Sequence, residues 1–243
     1  MSRVTTYGRD TVTANEFFAI STPKIAPPTP LPPVIFCHGA GSDATAIISL
    51  TDSVERIARD VTNAGYTMLA CDLGGTGTWG NDTVISRIND AYTYAQTLPG
   101  IRTGRVLLLG TSMGGLSSLV WTAGHMGQVH GLAAIIPVID VNDIHANNRG
   151  GFTSAINAAY SGGWSQATYG AAHNPLTIAT AGTYAALPMQ IHYGTTDAIC
   201  LPAKAIEFGT KTNSTLLPLA AGHENLAYQS VDTAALIAFF QQF

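Results

Sequence analysis

Charge is what this 243-residue chain has least of. Asp, Glu, Lys and Arg together make up 11% of it, against about a quarter in an ordinary globular chain. The only lysines are Lys24, Lys204 and Lys211, no Lys/Arg-rich run occurs, and the net charge is −4. That leaves no electrostatic footing on a phosphate backbone or an anionic lipid surface, so no nucleic-acid partner is expected. Cysteine is scarce too: Cys37, Cys71 and Cys200 are odd in number and show no C-x-x-C spacing. This sets aside a full disulfide framework and a zinc site, and the three read as buried free thiols. No run of about 18 apolar residues occurs, so no transmembrane segment is expected. The N-terminal stretch MSRVTTYGRDTVTANEFF has no basic segment followed by an apolar one. With no visible export signal a cytoplasmic location is expected, a processed secreted chain being the alternative. Oligomeric state is left open.

What the chain does have is hydrophobic mass, 46% of its residues, enough for one core and a single domain over residues 1–243. Apolar strand-like runs alternate with helical periods, the pattern of an α/β fold with a mostly parallel sheet covered on both faces. An N-terminal region with room for an antiparallel hairpin precedes the proline-rich connector Pro23–Pro33, which must be extended. Strands follow in PVIFC, YTMLACD, RVLLLG, GLAAIIPVID, PMQIHYG and STLLPLA. Between them, TDSVERIARDVTNAGY reads as a helix with Asp52 and Glu55 spaced as a capping box, and DTVISRINDAYTYAQTL as a second helix. LSSLVWTAGHM has a helical period, and ENLAYQSVDTAALIAFFQQF closes the chain as one amphipathic helix. Residues 141–187 break the rhythm. They are too many for a plain loop, so they must carry structure of their own and read as a small cap-like insertion over the carboxyl ends of the strands. Trp164 and Tyr169 there are candidate walls of a substrate pocket, or the insertion's own packing core.

The chemistry centres on Gly110-Thr111-Ser112-Met113-Gly114, a G-x-S-x-G placed directly after a strand and before a helix. A turn sharp enough to lift Ser112 above the sheet strains the serine and leaves no room for side chains two positions away. A hydroxyl is a poor nucleophile alone and needs a base and an orienting acid. Of the seven histidines, His223 alone falls on a loop after the last strand, at the same end of the sheet as Ser112. His192 lies within a strand. Asp197 follows the penultimate strand and completes the chain order Ser, Asp, His, with Asp140 and Asp143 one strand over as runners-up. The amides of Met113 and of Ala40, in the loop His38-Gly39-Ala40-Gly41, are candidates for an oxyanion hole. His38 reads as a residue that ties loops together.

With these motifs in order, HGAG, DLGGTG, GTSMGG, GTTD and AGHEN, the stretch from Val34 to Phe243 resembles the α/β-hydrolase superfamily, esterase- or lipase-like. The resemblance implies the α/β-hydrolase fold, an eight-stranded mostly parallel sheet with helices on both faces. It also implies Ser112, Asp197 and His223 as the triad. DLGGTGTWG lacks the arginine of the commoner D-x-R-G-x-G-x-S pattern, which leaves that loop's contacts open. The expected activity is hydrolysis of a small-molecule or lipid-like carboxylic ester through an acyl-enzyme, with no metal and no cofactor. The alternatives are a lyase, a perhydrolase or a peptidase on the same scaffold, and a hydrolase-shaped module without catalysis.

Overall fold

The computed structural model describes residues 3–50 and 53–243. Eight strands form one sheet in the order β1-β2-β4-β3-β5-β6-β7-β8. The N-terminal hairpin, β1 (Arg3–Arg9) and β2 (Phe17–Pro23), pairs antiparallel at one edge. The other strands run parallel: β3 (Val34–Cys37), β4 (Met68–Cys71), β5 (Val106–Thr111), β6 (Val129–Ile135), β7 (Met189–Gly194) and β8 (Thr215–Leu219). After β3 the chain steps outward to β4 and then returns to place β5 on the other side of β3. The carboxyl ends of β3 and β5 therefore flank the point where strand order reverses, the place where open α/β sheets form a crevice.

The core has two layers because successive strand residues point to opposite faces. Val106 and Leu108 join the layer that holds α2 (Asp82–Ala95), α3 (Met113–Gly124) and α8 (Pro202–Thr212). Leu107 and Leu109 join the layer that holds α1 (Ser53–Asn63), α9 (Asn225–Gln229) and α10 (Thr233–Phe240). The chain's final helix is thus two, not one. The Asp232 side chain accepts the N–H groups of Ala234 and Ala235, which starts a new helix where a continuous one was expected. Asp52, the expected cap of α1, lies outside the described residues. Glu55, its expected partner, is buried and binds Arg3 at 2.6 Å and Arg59 at 3.0 Å, fastening the edge hairpin to α1. The run GLAAIIPVID is strand only as far as Ile135, since Ile136 turns to φ 43° ahead of Pro137.

Residues 141–187 hold four helices: α4 (Val141–Ala146), α5 (Thr153–Ala159), α6 (Gln166–His173) and α7 (Pro175–Thr180). They do not all stand apart from the sheet. Parallel neighbours β6 and β7 need a crossover helix, and α7, packed against α3 and α8, supplies it. Ile144, Ile156, Tyr160, Trp164, Leu176 and Tyr184 join the same core layer as α2 and α3.

His192 on β7 is buried beside Gln190, and burial pulls its imidazole down to about 4. The unfolded chain binds this proton below about pH 6.5, whereas the folded chain excludes it until about pH 4. The stability it contributes is therefore complete above 6.5 and is lost as pH falls toward 4, by up to about 3 kcal/mol. Urea melts of native protein and His192→Gln between about pH 7 and pH 4.5 should show the smaller loss in the variant.

Close backbone approach fixes the β5–α3 turn. A Cβ on Gly114 would lie 2.0 Å from the Cys37 carbonyl oxygen, and one on Gly110 would lie 2.6 Å from that of Gly114. Gly114→Ala should cost at least about 3 kcal/mol, lowering Tm by roughly 6–12 °C. Gly124→Ala, with nothing within 4 Å, should be neutral or slightly stabilising.

Candidate active site

Ser112 sits between β5 and α3 with φ 51° and ψ −117°, a conformation rare outside glycine. It is held from both sides: its N–H donates to the Ile135 carbonyl at 3.0 Å and its carbonyl accepts from Val138 N–H at 3.1 Å. The turn lifts the hydroxyl toward the loop after β8, where His223 Nε2 lies 2.8 Å from Ser112 Oγ. On its other side His223 Nδ1 lies 2.8 Å from Asp197 Oδ2. Because a carboxylate accepts only, the imidazole proton belongs on Nδ1, which leaves the Nε2 lone pair free to accept from the serine.

Asp197 is 3% exposed, so its charge needs compensation within the fold. The loop after β7 provides it: Ile199 N–H and Cys200 N–H both donate to Oδ1 at 2.8 Å. Oδ2 is left for the histidine. Asp140 and Asp143 have other partners. Asp140 binds Lys204 at 2.8 Å and caps α4, while Asp143 binds Arg149 at 2.5 Å. The structure thus brings together Ser112, His223 and Asp197, and leaves both runner-up acids in ion pairs of their own. The other histidines have structural partners: His125 stacks on Trp121, His130 on Phe243, His145 meets Asn157, and His173 donates toward the Gly80 carbonyl.

The loop after β3 passes close to the serine. A Cβ on Gly39 would sit 3.5 Å from Ser112 Cβ. Neither Ala40 N–H nor Met113 N–H finds an acceptor among the described residues, so both main-chain donors stand open. The loop is clamped to the one after β4. His38 Nε2 meets the Asp72 carbonyl at 2.9 Å, Gly41 N–H donates to Thr76, and Ala44 N–H donates to the Asp72 side chain. His38 accordingly ties loops together and does not face the serine–histidine pair.

Trp164 and Tyr169 are not brought to Ser112. Their ring contacts are with Tyr160, with each other and, for Tyr169, with His173. Tyr169 borders a cavity of about 190 Å³ lined also by Asn81, Asp82 and Tyr160, and this lining includes neither Ser112 nor His223. The sequence reading passed over Trp79, which is buried at φ 46°, packs on Phe152 at 4.9 Å and accepts the Tyr160 hydroxyl on its carbonyl at 2.7 Å. Its signal was present in the glycine-flanked TWG that ends the loop after β4. Cys200, read from the sequence as a free thiol, lies close to the acid, and burial with the Asp197 and Asp143 carboxylates pushes its thiol well above its ordinary value. That thiol is neutral and no rival nucleophile.

A strained serine on a strand-to-helix turn, a histidine and a buried acid after later strands, and a glycine-rich loop at the switch point define a serine hydrolase of the α/β-hydrolase class. Within that class the chain belongs to the family described as serine aminopeptidase, S33, whose profile matches residues 29–160. No curated protein sequence matches it significantly. Solved structures share its fold at low identity. An S-formylglutathione hydrolase from Agrobacterium tumefaciens superposes with a TM-score of 0.75 at 13% identity, over 99% of this chain and 98% of that one. A truncated carbohydrate esterase from gut microbiota gives 0.76 at 12%, over 98% and 95%. Est1E from Butyrivibrio proteoclasticus gives 0.70 at 16%, over 98% of both.

The ring cluster leads to a direct expectation. Trp164→Ala should destabilise the fold by about 3–5 kcal/mol, as loss of a packed aromatic does. It should leave relative kcat/KM across an ester chain-length series unchanged. Urea midpoints and the series measured side by side check both.

Proposed function

We propose that the chain is a carboxylic ester hydrolase working through a Ser112–His223–Asp197 triad and an acyl-enzyme intermediate. The observation that carries this is the unbroken hydrogen-bond chain from Ser112 Oγ through His223 to Asp197, at 2.8 Å on each side of the imidazole. Ser112 Oγ attacks the ester carbonyl while His223 Nε2 takes its proton. Asp197 holds the tautomer and stabilises the imidazolium that forms. The carbonyl oxygen, now negative, is received by the open amides of Ala40 and Met113. His223 returns the proton to the leaving alcohol, and water, activated the same way, releases the acid. The low surface charge favours a small ester without a polyanionic group. The outer part of the insertion, α4 to α6, serves as a cap at the rim of this site.

The family's description favours a second reading, an aminopeptidase. Such an enzyme needs an anionic group to hold the substrate's ammonium, and Asp140 and Asp143 are already neutralised by Lys204 and Arg149. Glu224, exposed beside His223, is the carboxylate that keeps this reading worth testing.

Ser112→Ala should remove ester turnover by about four to six orders of magnitude in kcat while the far-ultraviolet circular dichroism stays native. Asp197→Asn should cost about 10⁴-fold by favouring the wrong tautomer, with Asp143→Asn far milder. Parallel assays on nitrophenyl esters, aminoacyl nitroanilides and peroxide-dependent acyl transfer separate esterase from peptidase and perhydrolase. A folded Ser112→Ala that retains full ester turnover defeats the proposal.

A further inference from the structure

A sulfur stands beside the acid and the base, and the serine chemistry makes no use of it. One ligand atom each from Asp197, Cys200 and His223 lie within 4.8 Å of one another, the one such grouping of His, Cys, Asp or Glu among the described residues. The tight turn that brings Cys200 there is the one whose amides hold Asp197 Oδ1, so the position of the sulfur follows from the support of the acid. Cys37 and Cys71 are buried within the core, whereas Cys200 and His223 are partly exposed.

An imidazole nitrogen, a thiolate and a carboxylate oxygen are the donor set of borderline-soft divalent cations, whereas magnesium and calcium take oxygen. Tetrahedral zinc, with bonds of about 2.0–2.3 Å, spaces its ligand atoms about 3.3–3.8 Å apart. Reaching that spacing requires His223 Nδ1 and Asp197 Oδ2, now 2.8 Å apart, to part slightly and the three ligand atoms, within 4.8 Å of one another, to close around the ion. Oδ1 keeps its two amides and Oδ2 turns to the ion. The geometry points to an inhibitory site for a divalent cation of the zinc class, formed by Asp197, Cys200 and His223.

Occupancy would trap the histidine in the wrong tautomer. In the free protein Nδ1–H donates to Asp197 and Nε2 accepts from Ser112. An ion on Nδ1 takes that lone pair, so the imidazole's single proton moves to Nε2 and faces Ser112 as a donor. The histidine can no longer accept the serine proton. The thiol releases one proton to solvent and the carboxylate none. Thiolate, carboxylate, neutral imidazole and a dication together sum to zero charge, which suits a site with little water around it. Only protons and metal bonds change, so removing the ion, with one proton returning to the thiol and the imidazole proton to Nδ1, restores the free state.

Binding does not depend on the proposed triad, though inhibition does, and two measurements separate them. Titration of the native chain with cobalt(II) or cadmium should raise a thiolate-to-metal charge-transfer absorption. That band should vanish in Cys200→Ser and Cys200→Ala, both of which keep the backbone amide on Asp197. Zinc should suppress ester turnover reversibly, with chelation restoring it and magnesium and calcium without effect. In the Cys200 variants, scored against their own metal-free rates, the half-inhibitory zinc concentration should rise at least about tenfold. A band that persists without Cys200, no band in the native chain, or equal zinc sensitivity in native and Cys200 variants overturns the site. If no ester is turned over, a band that requires Cys200 upholds the site while the ester reading fails.

Discussion

Everything at the carboxyl end of the sheet depends on how closely α3 approaches β3. Gly114 lies so near the Cys37 carbonyl that no side chain fits between them. That approach presses the start of α3 into the gap between β3 and β5 and forces Ser112 into its strained φ. It also places the first amide of α3 beside the loop that leaves β3. A looser packing would relieve the serine, but it would separate it from the loop at Gly39, which now passes close to it. Strain of this kind, of order 1–3 kcal/mol, persists only where the surroundings over-determine it. Here the bonds from Ser112 to Ile135 and Val138 do so.

Electrostatics takes over where packing ends. A buried carboxylate would be costly without partners, and Asp197 has three: two amides of its own turn and the His223 N–H. The amides belong to residues two and three positions along the chain, so the charge is satisfied locally before the histidine arrives. The histidine then meets a carboxylate whose orientation is already set. Asp140 and Asp143, one strand over, show the contrast, because their compensation comes from Lys204 and Arg149. A carboxylate held in an ion pair is not free to orient an imidazole.

Most of the central sheet was legible in the sequence because its strands are short, largely apolar runs, and because the serine motif fell between a strand and a helix. The site was legible in chain order for the same reason, since strand ends dictate which loops share a rim. The failures are local. Continuous periodicity hid the break between α9 and α10, which a capping aspartate makes. Strand-like apolarity ran past Ile135, where a positive φ at a β-branched residue ended it. For Trp164 and Tyr169 pocket wall and packing core stayed open alternatives, because aromatic bulk in an insertion carries no direction. Whether such a ring faces a ligand or another ring is decided by tertiary packing, and here Tyr160 and His173 received them.

The loop after β4 shows how a motif can be altered without losing its work. It lacks the arginine expected there, yet a charge clamp remains: Glu16, just before β2, accepts Gly74 N–H at 3.0 Å and pairs with Arg87 of α2 at 3.0 Å. So fastened, the loop touches both rims of the crevice. Through Asp72 and Thr76 it holds the donor loop of Ala40. Through Trp79, Gly80 and Asn81 it holds Tyr160, His173 and the Ala159 carbonyl of the insertion. Displacing the insertion therefore pulls on the same short segment that fixes the loop of Ala40. Placement of the loop after β3 and placement of the insertion are, in this fold, a single mechanical problem, solved by one loop anchored at Glu16.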